Sequence, residues 1–129
     1  MSLWGAGGLL LATPLMAEAA SLSLTGHIAL ISSESPVGNA RITVTFHGHE
    51  VGIHEYTTEE RVRVRTDEAG YFEAVVKVPD DRYIWTHATV EIAETDTSKA
   101  ATLRSTCQID SEGGGRCDKN FRVNPLWDR

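Results

Sequence analysis

Apolar and polar residues alternate through most of this 129-residue chain, and the alternation is clearest between Arg61 and Pro79. A period of two is typical of half-buried β-strands. We therefore expect two antiparallel strands here, joined by the loop Glu68-Ala69-Gly70, in which Gly70 supplies the positive φ angle that such loops need. Aligning the apolar residues predicts the register of this hairpin: Val64 opposite Ala74, Val62 opposite Val76, and Arg65 opposite Glu73.

The same alternation predicts strands before and after this hairpin. Strand one covers Leu22 to Ile31, with Gly26 as a candidate bulge, and strand two covers Ala40 to His47. Residues 48–60 are less periodic and form either an edge strand or a long loop. A long fifth strand covers Tyr83 to Ala93, and four of its residues are expected to point inward: Ile84, Ala88, Val90 and Ile92.

Two cysteines, Cys107 and Cys117, are separated by nine residues that include three consecutive glycines. We expect a Gly-rich turn between two antiparallel strands, and a disulfide that joins them. This hairpin pairs Leu103 with Phe121 and Ala101 with Val123. The spacing does not fit a zinc knuckle, and closing so short a loop stabilises the fold by about 2–3 kcal/mol.

About seven closely spaced strands, with no amphipathic helical window, indicate an all-β chain folded as one antiparallel β-sandwich. The length fits a single domain. We expect this domain to cover residues 20–124 and to be followed by a C-terminal tail at 125–129.

The first nineteen residues differ from the rest of the chain. An apolar run from Leu3 to Met16 precedes Ala17-Glu18-Ala19, which is a small-x-small cleavage site. No Lys or Arg precedes the run, so residues 1–19 are interpreted as a signal peptide or, alternatively, as an N-terminal anchor. The run is too short to span a bilayer comfortably, and no transmembrane span is expected in the mature chain. We predict a periplasmic or secreted protein, which is also where a disulfide would persist.

Four short patterns along residues 22–92 point to a known family. They are Gly26-x-Ile28, Pro36-Val37-x-x-Ala40-x-Ile42-x-Val44, Thr66-Asp67-x-x-Gly70-x-Phe72, and Val78-Pro79 followed by Tyr83. Together they resemble the transthyretin-like, carboxypeptidase regulatory-like domain family, and the Thr-Asp-x-x-Gly-x-Phe turn is the most specific of them. The resemblance implies a seven-stranded Greek-key β-sandwich, similar to immunoglobulin-like folds, that is often secreted and is usually accessory or adhesive.

The net charge of −6 and the sequence pI near 5.3 argue against nucleic acid as a partner. Two rows of side chains are predicted to point outward and to form candidate binding surfaces: Arg61, Arg63 and Arg65, and Tyr83, Trp85 and His87. The arginines suit carboxylate or phosphate groups, although a charged outer row can equally serve to keep sheets from stacking. Aromatic side chains anchor interfaces, although this row could instead lie beneath residues 48–60.

Three histidines, His47, His49 and His54, form a candidate copper or zinc site. His47 and His49 project to the same side of an extended strand, and a loop could bring His54 back to them. The alternative interpretation is a polar edge that happens to carry histidines.

Signals for catalysis are weak, because no serine elbow or nucleophile–base spacing is present and both cysteines are assigned to the disulfide. We predict a non-enzymatic, exported binding or accessory module of the cell envelope that uses no cofactor and contacts a protein partner through exposed sheet faces. The alternative prediction is a periplasmic copper- or zinc-binding protein that uses the three histidines.

Overall fold

The computed structural model describes residues 20–50, 57–78, 83–105 and 115–126, together with all side chains there except those of Ala20, Val78, Tyr83, Gly115 and Arg116. Seven strands and no helix lie in these residues. The strands are β1 (Ala20–Leu30), β2 (Arg41–Glu50), β3 (Thr57–Arg65), β4 (Tyr71–Val78), β5 (Tyr83–Ile92), β6 (Ala101–Ser105) and β7 (Gly115–Val123). The predicted signal peptide, His54, Cys107 and residues 127–129 lie outside the described part of the chain.

The strands form two sheets. The four-stranded sheet has the order β3-β2-β5-β6, and each neighbouring pair is antiparallel. The three-stranded sheet has the order β4-β1-β7, in which β1 is antiparallel to β4 and parallel to β7. The prediction of an all-β chain with about seven strands is confirmed, but the sheets are not purely antiparallel.

The core lies between the two sheets and receives the inward-pointing side chains of all seven strands. Its largest fully buried side chains are Trp85, Phe46, Leu22, Leu24, Ile28, Ile42, Ile92, Val37, Val44 and Val90. Leu30, Val62, Val64, Val76, Ala101 and Leu103 are partly buried and pack against this cluster. The apolar alternation of the sequence therefore identified most of the core, because a strand between core and solvent must alternate with a period of two.

The turn predicted at residues 67–71 is confirmed, but the hairpin around it is wrong. Gly70 has a φ of +88°, and the Asp67 N–H donates to the Tyr71 carbonyl at 2.8 Å. However, β3 pairs with β2 and β4 pairs with β1, so the two strands belong to different sheets. Arg65 consequently lies beside Arg41 rather than Glu73. The alternation requires only that the apolar residues of both strands face the same core. Two strands meet this requirement equally well when they lie in facing sheets and when they lie side by side in one sheet.

The predicted hairpin between the last two strands is wrong for the same reason. β6 lies at the edge of the four-stranded sheet next to β5, whereas β7 runs parallel to β1 in the other sheet. The Ser105 hydroxyl and the Cys117 Sγ atom are 3.7 Å apart across the core, so the end of β6 and the start of β7 do approach each other. The disulfide between Cys107 and Cys117 remains a prediction, because Cys107 lies outside the described residues.

One further local prediction needs correction. The register of β1 is continuous through Gly26, so no bulge occurs there. A Cβ atom at Gly26 would lie 2.4 Å from Cε2 of Phe72, which shows that the glycine is needed for close packing of a ring. The predicted tail begins as an ordered segment, since the Leu126 N–H donates to the Thr97 carbonyl at 2.9 Å. Within the described residues, no helix has the length and apolar character needed to cross a membrane.

Candidate binding face

The outer face of the four-stranded sheet carries many charged side chains. Because Ile42, Val44 and Phe46 of β2 point into the core, the residues between them point outward, and the strand register extends this outer set across the sheet. We call this surface the arginine face. Its charged and imidazole side chains are Arg41, Arg61, Arg63, Arg65, Arg104, Glu59, Glu91, His47, His49 and His87, and four of its threonines are Thr43, Thr45, Thr89 and Thr102.

The arginine face contrasts with the charge of the whole molecule. It carries five of the 12 Lys and Arg residues of a chain whose net charge is −6. The predicted row of Arg61, Arg63 and Arg65 is exposed on β3, as expected. Arg41 and Arg104 join this row from β2 and β6, which the sequence could not reveal without the order of the strands.

Two arginines of this face are direct cross-strand neighbours. Arg41 on β2 pairs with Arg65 on β3, and like charges in such a position repel each other. Arg63 lies two residues along β3 on the same face. The three arginines line a groove of about 780 Å³ that crosses the sheet and also contacts Glu91 and the small side chain of Ala93. The groove therefore carries an excess of positive charge.

Some of the arginines are held by neighbours and others extend into solvent. Arg61 donates from Nε to the Thr45 hydroxyl at 3.3 Å, and its guanidinium lies 3.8 Å from Glu59. Arg65 donates to the side-chain oxygen of Asn39 at 3.0 Å.

Within the described ranges, neither Arg41 nor Arg63 has a carboxylate within ion-pair distance. Both guanidinium groups are exposed and are positioned to bind an anionic group from another molecule.

A pair of stacked imidazoles borders the arginine face at the other end of the sheet. The rings of His47 and His87 are 4.4 Å apart and inclined by 12°. His47 Nε2 lies 2.9 Å from the Thr89 hydroxyl, and its Nδ1 lies 3.4 Å from Glu59. Burial lowers the pKa of His87, and the nearby Arg104 guanidinium and the His47 ring lower it further.

The predicted metal site gains no support from the described residues. His47 and His49 do lie on the outer side of β2, but both ring nitrogens of His47 are close to protein groups, and His54 lies outside the described residues. Among the residues that the structure describes, no group of three or more potential ligands is arranged to hold a metal ion.

The predicted outward row of Tyr83, Trp85 and His87 is wrong for Trp85. The pairing of β2 with β5 shifts from His47–His87 to Gly48–Trp85, which leaves Thr86 as an extra residue in β5. Such a β-bulge reverses the alternation on one side of it. Trp85 is therefore 1% exposed in the core, whereas Ile84, which was expected to point inward, is 39% exposed.

The prediction for the other two residues is not contradicted. His87 lies on the outer face as predicted, where it is partly buried, and the Tyr83 side chain lies outside the described set. The sequence did contain an indication that Trp85 points inward, because Gly48 occupies an inward position of β2. A Cβ atom at Gly48 would lie 2.9 Å from Cε3 of Trp85, so the missing side chain leaves room for the indole. Trp85 is consequently buried away from any partner, and the arginine face is the stronger candidate.

Comparisons with known proteins give no family for this chain. No protein-family model matches it, and no curated protein matches it. Solved structures with a detectable likeness include a 9R-lipoxygenase from Cyanothece PCC8801, with a TM-score of 0.47 and 12% identity over 95% of this chain. This chain covers 19% of that lipoxygenase chain. The major plantain pollen allergen Pla l 1 has a TM-score of 0.44 and 10% identity, over 85% of this chain and 98% of the allergen.

Proposed function

We propose that this protein is an exported, non-catalytic binding module of the cell envelope that contacts a protein partner through the arginine face. The observation that carries the proposal is the concentration of five arginines on one sheet face of an acidic chain. A partner that offers carboxylates would match this face in charge, and it would meet guanidinium groups whose planar geometry suits two-point binding of a carboxylate.

The energetics of the groove support the same proposal. The direct pairing of Arg41 with Arg65 is unfavourable for folding by itself, and the apolar core would tolerate many uncharged residues at these outward positions. An anionic group that binds between the two guanidinium groups would remove their repulsion. The arrangement is therefore better suited to the bound protein than to the isolated one.

The proposal also includes a Greek-key connection of the strands and a location outside the cytoplasm. We infer a Greek-key connection of the kind implied by the resemblance to transthyretin-like domains, since each sheet combines strands from distant parts of the chain. Export to the periplasm or beyond is supported by the apolar segment and the cleavage pattern of residues 1–19.

The proposal is tested by capture of the partner from native envelope membranes. The wild-type protein and an Arg41→Ala/Arg63→Ala variant would be tagged, cross-linked in membrane extracts and examined by mass spectrometry. A variant with two changes on the outer face of the other sheet, Lys77→Ala and Arg122→Ala, removes the same charge and serves as the matched control. We expect the partner to be lost only with the first variant. Equal recovery by all three proteins would contradict the proposal.

A further inference from the structure

Strand β3 has a hydrogen-bonded neighbour on one side only, within the part of the chain that the structure describes. β2 covers one edge of it, and no other strand of the described ranges lies along the second edge of Thr57–Arg65, which we call the open edge. An open strand edge offers backbone donors and acceptors to any extended chain that fits beside it. The question is which chain this edge would accept.

The backbone groups that face the open edge can be assigned from the pairing. The Thr66 N–H donates to the Ala40 carbonyl at 3.0 Å, so Thr66 directs its backbone groups toward the β2 side. Along an antiparallel pair this direction alternates from residue to residue. Arg65, Arg63 and Arg61 therefore direct their N–H and C=O groups away from β2 and toward the open edge.

The same three residues carry the arginine side chains on the outer face. An incoming strand that exchanges hydrogen bonds with Arg61, Arg63 and Arg65 would place its own partner residues directly opposite them. Successive outward residues of a strand are about 6.6 Å apart, and this spacing is the same in the incoming strand and in β3. Acidic residues at every second position would each meet one arginine.

The inner side of the edge has a different character. Val62 and Val64 point toward the core but are only partly buried, and no strand among the described residues covers them on the open side. Residues of an incoming strand that alternate with the acidic ones would lie beside these valines. Apolar residues at those positions would extend the core by one strand and bury the exposed parts of both side chains.

We propose that the open edge of β3 binds an extended acidic segment of the partner protein, in which acidic and apolar residues alternate, by adding it as a fifth strand to the four-stranded sheet. This inference rests on the proposed function, since it describes how that partner would contact the arginine face. Backbone hydrogen bonds supply the affinity, and the facing arginines and valines select the alternating pattern.

The charges also determine what the edge rejects. A second copy of this chain that pairs β3 with β3 antiparallel, in the register centred on Arg63, would bring two Arg63 side chains face to face and place Arg61 opposite Arg65, which is unfavourable. Charged residues on an open edge commonly prevent self-association for this reason. The register centred on Arg61 would instead place Arg63 opposite Glu59, so the charges exclude only the pairing in which the arginines face each other, while they accept a strand of opposite charge.

The test measures the binding of synthetic peptides to the full chain by fluorescence anisotropy. One peptide has the sequence Val-Glu-Val-Glu-Val-Glu-Val, with one glutamate for each of the three arginines, and its control has the same composition in blocks, Val-Val-Glu-Glu-Glu-Val-Val. We expect the alternating peptide to bind at least about tenfold more tightly, because only its pattern matches the charge row and the valines at once. Equal affinities would show that charge alone is recognised and would overturn the proposal.

A second comparison isolates the backbone. Arg63→Gln and Arg63→Pro both remove the charge, but only proline removes the N–H that faces the open edge, and proline is tolerated on edge strands. We expect Arg63→Pro to weaken binding roughly tenfold more than Arg63→Gln does. Equal affinities of the two variants would refute strand addition.

Modified peptides make the same test on the unchanged protein, in case the proline variant does not fold. N-methylation of the glutamate amides should abolish binding, because those amides face β3, whereas N-methylation of the valine amides should leave it intact. The opposite order would overturn the proposed register.

Two outcomes distinguish this inference from the proposed function. If no peptide binds, yet the Arg41→Ala/Arg63→Ala variant still loses its envelope partner, strand addition is refuted and the binding role of the arginine face stands. If sedimentation of the wild-type protein shows a dimer that Arg63→Pro converts to a monomer, the edge is occupied by a second copy, and the proposal of an acidic partner segment is overturned.

Discussion

Replacement of Trp85 by alanine is the sharpest test of the packing described above. The indole is 1% exposed and is among the largest fully buried side chains in the core. Removing a buried tryptophan loses its burial energy and leaves a cavity that the surrounding sheets fill only in part. Trp85→Ala should therefore lower the free energy of unfolding by about 3–5 kcal/mol. Small domains are stable by only about 5–15 kcal/mol, so this is a large fraction of the total.

The adjacent residue provides a matched control. Ile84 is 39% exposed on the other side of the same strand, and Ile84→Ala should cost less than about 1 kcal/mol. Strict alternation along β5 would place Ile84 inward and Trp85 outward, and it therefore predicts the reverse order of the two effects. The pair of variants tests the bulge at Thr86 directly.

The measurement is urea unfolding followed by circular dichroism, which does not depend on tryptophan fluorescence. In a thermal scan, the melting temperature of Trp85→Ala should fall by at least about 6 °C, given at least about 2 °C per kcal/mol for domains of up to about 250 residues. A third variant, Gly48→Ala, should cost about 1–3 kcal/mol, because its Cβ atom would crowd the indole. If Ile84→Ala proves more destabilising than Trp85→Ala, the inward position of Trp85 and the bulge are both refuted.

Three further predictions follow from local contacts. Gly70→Ala should destabilise the protein by about 1–3 kcal/mol, because Gly70 has a φ of +88° and the new Cβ atom would lie 2.6 Å from the Ile28 carbonyl oxygen; an unchanged midpoint in urea would contradict this. Thr66→Val should cost about 1–3 kcal/mol in the same assay, because the buried hydroxyl accepts from one backbone N–H and donates to one carbonyl, both at 2.8 Å. Folding lowers the pKa of His87 below the ordinary histidine value of about 6.5, so protonation of its ring favours the unfolded state. The free energy of unfolding should therefore decrease as the pH falls below about 6.5. An NMR titration should give a pKa for His87 below that value in the folded protein, and a pKa at or above it would contradict the effect of burial.

The sequence predicted which side of each strand faces the core better than it predicted which strands are neighbours. The inward positions of Val62, Val64, Phe72 and Ala74 were all correct, since alternation reports burial directly. The pairing of their strands was wrong, because two strands joined by a tight turn can face each other across a core as easily as they can lie side by side in one sheet. Both of the predicted hairpins failed in this way.

The candidate site was predictable only in part. The row of Arg61, Arg63 and Arg65 could be read from one strand, but Arg41 and Arg104 join it through strand order, which alternation does not encode. The prediction that Trp85 points outward was wrong because one extra residue, Thr86, exchanges the inward and outward positions in the part of β5 that precedes it. A bulge leaves little trace in the alternation itself, and Gly48 on the partner strand was the only indication of it.

The parallel pairing of β1 with β7 has a consequence for how the chain reaches its native state. The first and last strands of the described chain are neighbours, and Thr25 donates a hydrogen bond to Asp118, 93 residues further along. Contacts between such distant residues require most of the chain to be ordered before they form, and folding that depends on them is slow. The three-stranded sheet cannot be completed until β7 is available. A chain that emerges from its N-terminus onward would hold β1 with one edge unpaired during this interval, and an unpaired strand edge can associate with other chains.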